Sequence, residues 1–464
     1  MDINLNRLLD TNNFSPDDEA FLKDLQGNIV NSHRKNFAQH LFLRFTGDIA
    51  LNRKFLSEQA ALLPASSTRA QLRKDAGEVF RSVLLSASGY RALGIGNNLI
   101  PSDQAFRDGL KARGPILLKD PEAKAWAEPK FNQDLHALII LAHDDDEKLG
   151  DFVKAFRYSL PMSTEIAHKE EGQVKFRDDK RIEHFGFVDG NSTPAFVHRE
   201  KDAKDTAKGS MSAWPAPFGL AVALTKCPGG NDEGHGSYLV FRKLEQNVKE
   251  FFKMQKEFAM ELSGQNPDEE YAAALVIGRF RDGTPLATQA TPGYKGADLN
   301  NFNYVEDPDG GRCPVAAHIR KMNPRGAPGF GDRNEALKTE ATHSIVRRSI
   351  TYDDRKPAVN GEGQPQEHPE TGVGVLFMCY QSSIVNQFEV LQGSWANDSW
   401  HPPGANEVGS DPISAQGKRT PAKWPTSWGS NPERAFDFKN CVNMLGGEYF
   451  FAPSISFLQR LPDL

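Results

Sequence analysis

Three stretches of the chain share one succession of apolar and polar positions. In HALIILAHDDDEKLGDFVKAF (136–156) the unbroken apolar run 137–142 gives way to an acidic turn, after which leucine, phenylalanine and valine recur at helical spacing. A short apolar run marks a buried strand, and the later period of about 3.6 marks an amphipathic helix. The same order returns in SYLVFRKLEQNVKEFFKMQKEF, with the strand at 238–241, and in GVLFMCYQSSIVNQFEVLQ, with the strand at 375–380. Further strands are predicted in QHLFLRF near residue 42, VFRSVLLS near 82, FGLAVALT near 221 and EYFFAPSISFL near the end. Strands and helices interleave, with weak similarity between the two parts of the chain and no short repeat. That pattern predicts an α+β protein of two similar sheet-and-helix halves.

Segments without period divide the rest. The run HREKDAKDTAKGSMSAWPAP (198–217) is charged, then small, then proline-containing, and reads as the connection between halves spanning 1–205 and 206–464. GAPGFGD with the following RNEALKTEATH reads as a loop region, and 401–435, rich in Pro, Gly and Ser, as a long surface excursion.

At 464 residues the chain is long enough for two cores and for enclosing a large cofactor. Acids (61) exceed bases (55) without long blocks of one sign, which disfavours nucleic acid as the main partner. No basic stretch followed by an apolar run opens the chain, and no apolar run reaches the length of a membrane span. The four cysteines are far apart, which disfavours a zinc site or disulfide framework and fits a reducing cytoplasm.

Three sites could carry chemistry. Asp189 stands in HFGFVDGNSTPAF, one acid between two glycines in an otherwise apolar and aromatic run. Alone, it is as well explained as a turn aspartate supporting its own backbone. His318, in CPVAAHIRKMNPRG, follows a small apolar run and precedes Arg320, Lys321 and Arg325. In SIVRRSITY, Arg347 and Arg348 lie in a strand-like context. Burying arginine requires an anionic partner, and strand alternation sends the two side chains to opposite faces.

Together these pieces resemble the dye-decolorizing peroxidases: GFVDG at 186–190, CPVAAHIRKMNPR at 313–325, SIVRRSITY at 344–352, GVLFMCYQ at 374–381 and the early LQGNIV at 25–30. The length and long loops are most similar to the larger branch of that family. The resemblance implies two ferredoxin-like halves, antiparallel sheets with helices, of the dimeric α/β-barrel type, and one heme b per chain held in the second half. It implies a peroxidase that reduces hydrogen peroxide through a ferryl intermediate and oxidises phenols, dyes and similar aromatic donors.

By the same resemblance His318 is the axial ligand to iron, Asp189 the distal acid/base and Arg347, rather than Arg348, the distal arginine. Glu389 would accept from the ring nitrogen of His318 turned away from iron. Val375 and Phe377 would line the distal pocket, and Arg320 and Arg325 would pair with heme propionates. Tyr352 would pass oxidising equivalents to donors at the surface, whereas structural roles are expected for Trp395 and Trp400. An aspartate acid/base predicts an acidic activity optimum. A heme-handling protein with little turnover would need His318 but neither Asp189 nor Arg347. A two-carboxylate hydrolase would need a second acid that no motif supplies.

Overall fold

The computed structural model describes residues 4–464 except 8, 11–14, 67–76, 191, 193, 195, 199–213, 215–218, 232–233, 265, 297, 327–331, 356–367 and 404–405. Most of the expected connection at 198–217 therefore lies outside the described residues, as does most of GAPGFGD.

In the first half, β1 (Phe37–Phe45) leads through α1 (Ile49–Ala60) to β2 (Phe80–Leu85), and β3 (Ala137–His143) through α2 (Asp146–Ser159) to β4 (Thr164–Gln173). In the second half come β5 (Thr225–Lys226), β6 (His235–Gln246), α3 (Val248–Ser263), α4 (Glu269–Ile277), α5 (His318–Met322), α6 (Arg333–His343), β7 (Val346–Arg347), β8 (Ile350–Asp353), β9 (Val373–Gln381) and β10 (Val442–Ala452).

These ten strands form one sheet in the order β7-β9-β6-β10-β2-β3-β1-β4, with β8 on β9 and β5 on β6. The pairing is antiparallel throughout. Within β1–β4 the first and third strands are central and the last lies at an edge; β6, β9 and β10 with the β7/β8 strand repeat that arrangement. This is the expected pair of ferredoxin-like sheets. The halves meet where Phe451 of β10 faces Leu85 of β2. At the far side the Thr351 hydroxyl donates to the Gln173 carbonyl and accepts from the Lys175 amide at 3.1 Å, tying β8 to β4.

The predicted strands at 137–142, 238–241 and 375–380 are the cores of β3, β6 and β9. All seven residues of β3 are buried, as an uninterrupted apolar run requires. Three expectations change. The segment near 221 is a 3-10 turn (Leu220–Val222) before the two-residue β5, its glycine and two alanines supplying little side chain for a sheet. RNEALKTEATH is not a loop but α6: it lacks apolar period, yet Asp332 and Glu335 form a capping box and the composition favours helix. The stretch 401–435 is no surface excursion, since His401, Asp411, Ala415 and Trp424 are buried.

One core fills the space between the sheet and its covering helices. A second, built on Phe251, Phe258 and Leu275 of α3 and α4, lies under the insertions that follow α4 and β9. Those two insertions frame the site.

Candidate active site

A cavity with about 1990 Å³ of atom-free space, its mouth included, opens in the second half. Its apolar walls include Leu244, Ile277, Ile319, Phe377, Phe388 and Leu391, and its polar groups converge from segments distant in the chain.

His318 opens α5 and faces this cavity. Its Nδ1 lies 2.8 Å from Oδ2 of Asp411, which is fully buried. Since a carboxylate only accepts, Nδ1 carries the proton and Nε2 keeps its lone pair. Burial pushes the Asp411 carboxyl up, but His318 and the amides of Ser414 and Ile413 outweigh it and hold the group below the usual carboxylate range.

Asp411 displaces Glu389 from its expected role. Glu389 instead makes a two-pronged ion pair with Arg113 (2.8 and 2.6 Å) and accepts from the Tyr449 hydroxyl at 3.3 Å. Its helical neighbourhood aims it at the first half, and nothing in sequence separation announces that. A signal for Asp411 does exist in Ser-Asp-Pro-Ile-Ser: an aspartate two and three residues before amides it can accept from is a turn former held rigid.

Asp189 follows the buried pair Phe185 and Phe187. The Glu183 carboxylate accepts from both of their amides at 2.8 Å and so fixes the bend that presents the acid. The Asp189 amide donates to the Arg181 carbonyl at 3.1 Å. Gly190 takes φ +84°, a conformation suited to glycine, and a Cβ added there would meet nothing within 4 Å, so the backbone borders open space. Arg347 Nη1 lies 3.0 Å from Asp189 Oδ1. The two side chains keep 33% (Arg347) and 38% (Asp189) exposure, turned to the cavity, so a small reactant can reach them. Burial raises the Asp189 carboxyl, but Arg347 and the Gly190 amide outweigh it and keep it lowered.

The adjacent Arg348 points the other way, donating to the carbonyls of Asn28, Ile29 and Val30. Alternation along the strand thus splits the pair as expected. Val375 and Phe377, two residues apart on β9, both line the cavity.

Arg325 also lines the cavity, donating to Asn300 and Phe302 with no carboxylate partner among the described residues; burial lowers it to about 10. Arg279 does the same through Gly283, Leu299 and Asn300, and the sequence reading missed it. Its one signal was an arginine closing the apolar run AAALVIG. Arg320, by contrast, is consumed by Asp307 and by the carbonyls of Cys313 and Pro308, and does not line the cavity. It cannot meet a propionate there.

Tyr352 is 1% exposed, with Lys243 Nζ 4.8 Å from its ring centre, so it offers no surface of its own to a donor. Trp395 is buried, stacked on His401 at 4.5 Å, and lines the cavity; Trp400 is 57% exposed. Among the described residues one other set of possible metal ligands comes together, Glu128, His168 and Glu170, but Lys243 already pairs with Glu170 at 2.8 Å.

The cavity fits a heme on these observations. An imidazole nitrogen with a free lone pair stands in an apolar slot, two buried guanidinium groups lack an anionic partner among the described residues, and a glycine leaves room at the wall.

Residues 24–176 match the model of the DyP dimeric alpha+beta barrel domain. The chain is 35% identical over 474 residues to a multifunctional dye peroxidase of Amycolatopsis sp., covering 99% of this chain and 100% of that protein. A DyP-type peroxidase structure from Anabaena sp. superposes with a TM-score of 0.88 at 37% identity, covering 98% of this chain and 97% of that one. A fungal DyP-type peroxidase from Auricularia auricula-judae gives 0.78 at 27% identity, over 95% and 99% of the two chains.

Proposed function

Since the chain belongs to the dye-decolorizing peroxidase family, we propose that Asp189 and Arg347 are its peroxide-activating pair, that His318 is its axial ligand and that it carries one heme b. The protein is a peroxidase, an oxidoreductase with hydrogen peroxide as acceptor and with dyes and similar aromatic compounds as donors. Bound heme supplies the electrons that reduce peroxide and is then restored by the donor. His318 would hold the iron through Nε2, with Asp411 fixing the tautomer, while Arg279 and Arg325 are suited to the propionates.

The chemistry of the chain itself is proton handling. As a carboxylate, Asp189 takes the proton from one oxygen of the peroxide, and as an acid it returns it to the other oxygen, which leaves as water. Arg347 favours the first transfer by stabilising the anion it creates, and the second by stabilising the departing oxygen. The apolar walls exclude bulk water from these transfers.

The observation that carries this reading is a single cavity lined by His318, Asp189, Arg347 and Arg325. The heme-handling alternative is not favoured: it leaves the Asp189–Arg347 pair without a task, and named dye peroxidases match the chain over nearly its full length.

The division at 205/206 is supported by the two repeats of the strand order. No helix among the described residues is long and apolar enough to cross a membrane. A cytoplasmic setting is part of the proposal, supported by four free, buried cysteines.

The test is absorbance of hemin-reconstituted protein mixed with peroxide. Wild type should show a Soret band that shifts rapidly. Asp189→Asn and Arg347→Gln should bind hemin but react on the order of 10²-fold more slowly. Unchanged rates in both would remove the pair from peroxide activation, and a wild-type Soret band that did not respond to peroxide would return the heme-handling reading.

A further inference from the structure

A second chamber adjoins the cofactor cavity, with about 1580 Å³ of atom-free space, and shares Asp189, Gly190, Arg347, Ser349 and Val375 with it. Its wall adds Arg34, Arg181 and Arg348, interleaved with apolar side chains such as Val174, Ile182, Phe196 and Ile350.

The charges do not balance. Arg348 is occupied by backbone carbonyls and Arg347 by Asp189. The Arg34 guanidinium has no hydrogen bond or ion pair among the described residues. Among the described residues the Arg181 guanidinium donates only to the Arg34 carbonyl, at 2.7 Å. Burial and the neighbouring Arg34 both lower Arg181; Asp144 acts on it in the opposite sense, but its own Oδ2 pairs with Lys35 at 3.0 Å. Two guanidinium groups of the wall, the exposed Arg34 and the half-buried Arg181, thus have no carboxylate hydrogen-bonded to them among the described residues. Neighbouring like charges repel, and an anion that joins them relieves that repulsion.

We propose that this chamber is the donor site and that Arg34 and Arg181 recognise the anionic group, carboxylate or sulfonate, of an aromatic donor. The apolar side chains receive its ring, and the shared wall at Arg347, Ser349 and Val375 brings it beside the cofactor cavity. The donor's oxidation rests on the peroxidase reading; its binding does not.

The experiment compares ferulate with its neutral methyl ester on the reconstituted holoenzyme without peroxide, by calorimetric titration. Wild type should bind the acid roughly tenfold more tightly than the ester, as expected for one charge-assisted contact. Arg34→Gln should collapse that ratio toward one, Arg34→Glu invert it and Arg34→Lys largely keep it. Raising the salt concentration should shrink the wild-type ratio. Equal affinities in wild type, or a ratio untouched in both Arg34→Glu and Arg181→Gln, would overturn the proposal. Turnover of the methyl ester with peroxide, measured in parallel on wild type, tests the peroxidase reading separately: its absence would sink that reading while the binding ratio still decides this one.

Discussion

Replacing Asp411 by asparagine changes one atom and should disable His318 as the proposed iron ligand. Oδ1 of Asp411 accepts from the amides of Ile413 (2.8 Å) and Ser414 (2.9 Å), while Oδ2 faces His318 Nδ1 and the Ser414 hydroxyl, both at 2.8 Å. An asparagine has one oxygen for these two positions. If the oxygen faced His318, its NH₂ would oppose two backbone donors that cannot turn, leaving both unsatisfied at about 1–3 kcal/mol each. The oxygen therefore stays with the amides and the NH₂ meets His318; the Ser414 hydroxyl can rotate to accept. Imidazole then presents its Nδ1 lone pair to the amide and moves its proton to Nε2, the nitrogen proposed to hold the iron.

Recovering the working tautomer means facing a donor with a donor, and a charge-assisted hydrogen bond is lost as well. Together these correspond to roughly 10–100-fold in metal affinity. Titrating apoprotein with hemin and following the Soret band should show that loss in Asp411→Asn, with a raised ferric/ferrous potential in whatever fraction binds. Wild-type affinity together with a wild-type potential would refute both the tautomer assignment and the role of the pair.

Other consequences can be checked as directly. Arg325→Leu should weaken hemin binding by about tenfold while retaining the Soret position, because it removes a charge partner and not the ligand; unchanged affinity would remove Arg325 from the propionate site. Arg242 is buried with Asp120 as its ion-pair partner, so Arg242→Met should cost about 3–5 kcal/mol in urea unfolding, and adding Asp120→Asn should restore part of it. Burial lowers His40 and His184 to about 4 and His401 to about 3. Below the ordinary histidine range the unfolded chain binds protons that the folded chain refuses, so stability should fall with decreasing pH between about 6.5 and 4. The slope is on the order of 1.4 kcal/mol per pH unit for each histidine, and a flat melting temperature across that window would contradict their burial.

Much of the fold was legible because it rests on local periodicity. Short apolar stretches, four residues long in β6 and six in β3 and β9, located these strands with β1, β2 and β10, and helical spacing located α2 and α3. Where the signal was composition without period, the reading went astray: α6 forms from capping and propensity, and the two-residue β5 replaces a longer predicted strand. The site divided in a similar way. Asp189, His318 and Arg347 stand in short segments whose neighbours constrain them, and strand alternation alone assigned Arg347 and Arg348 to opposite faces.

What the sequence by itself determined was thus the identity of the elements and of the groups with reactive chemistry. Only the tertiary structure decided their partners. Asp411 reaches His318 from 93 positions away, out of a segment that reads as surface, while Glu389 turns to Arg113 276 positions distant. Among the described residues Arg279 and Arg325 are left without a carboxylate and Arg320 is given one, although nothing near any of them in the chain says which. The physical reason is range. Dihedral preferences and amphipathic period act over a few residues, whereas charge pairing and desolvation act through space, between groups whose separation is set by how the sheet and its two insertions pack.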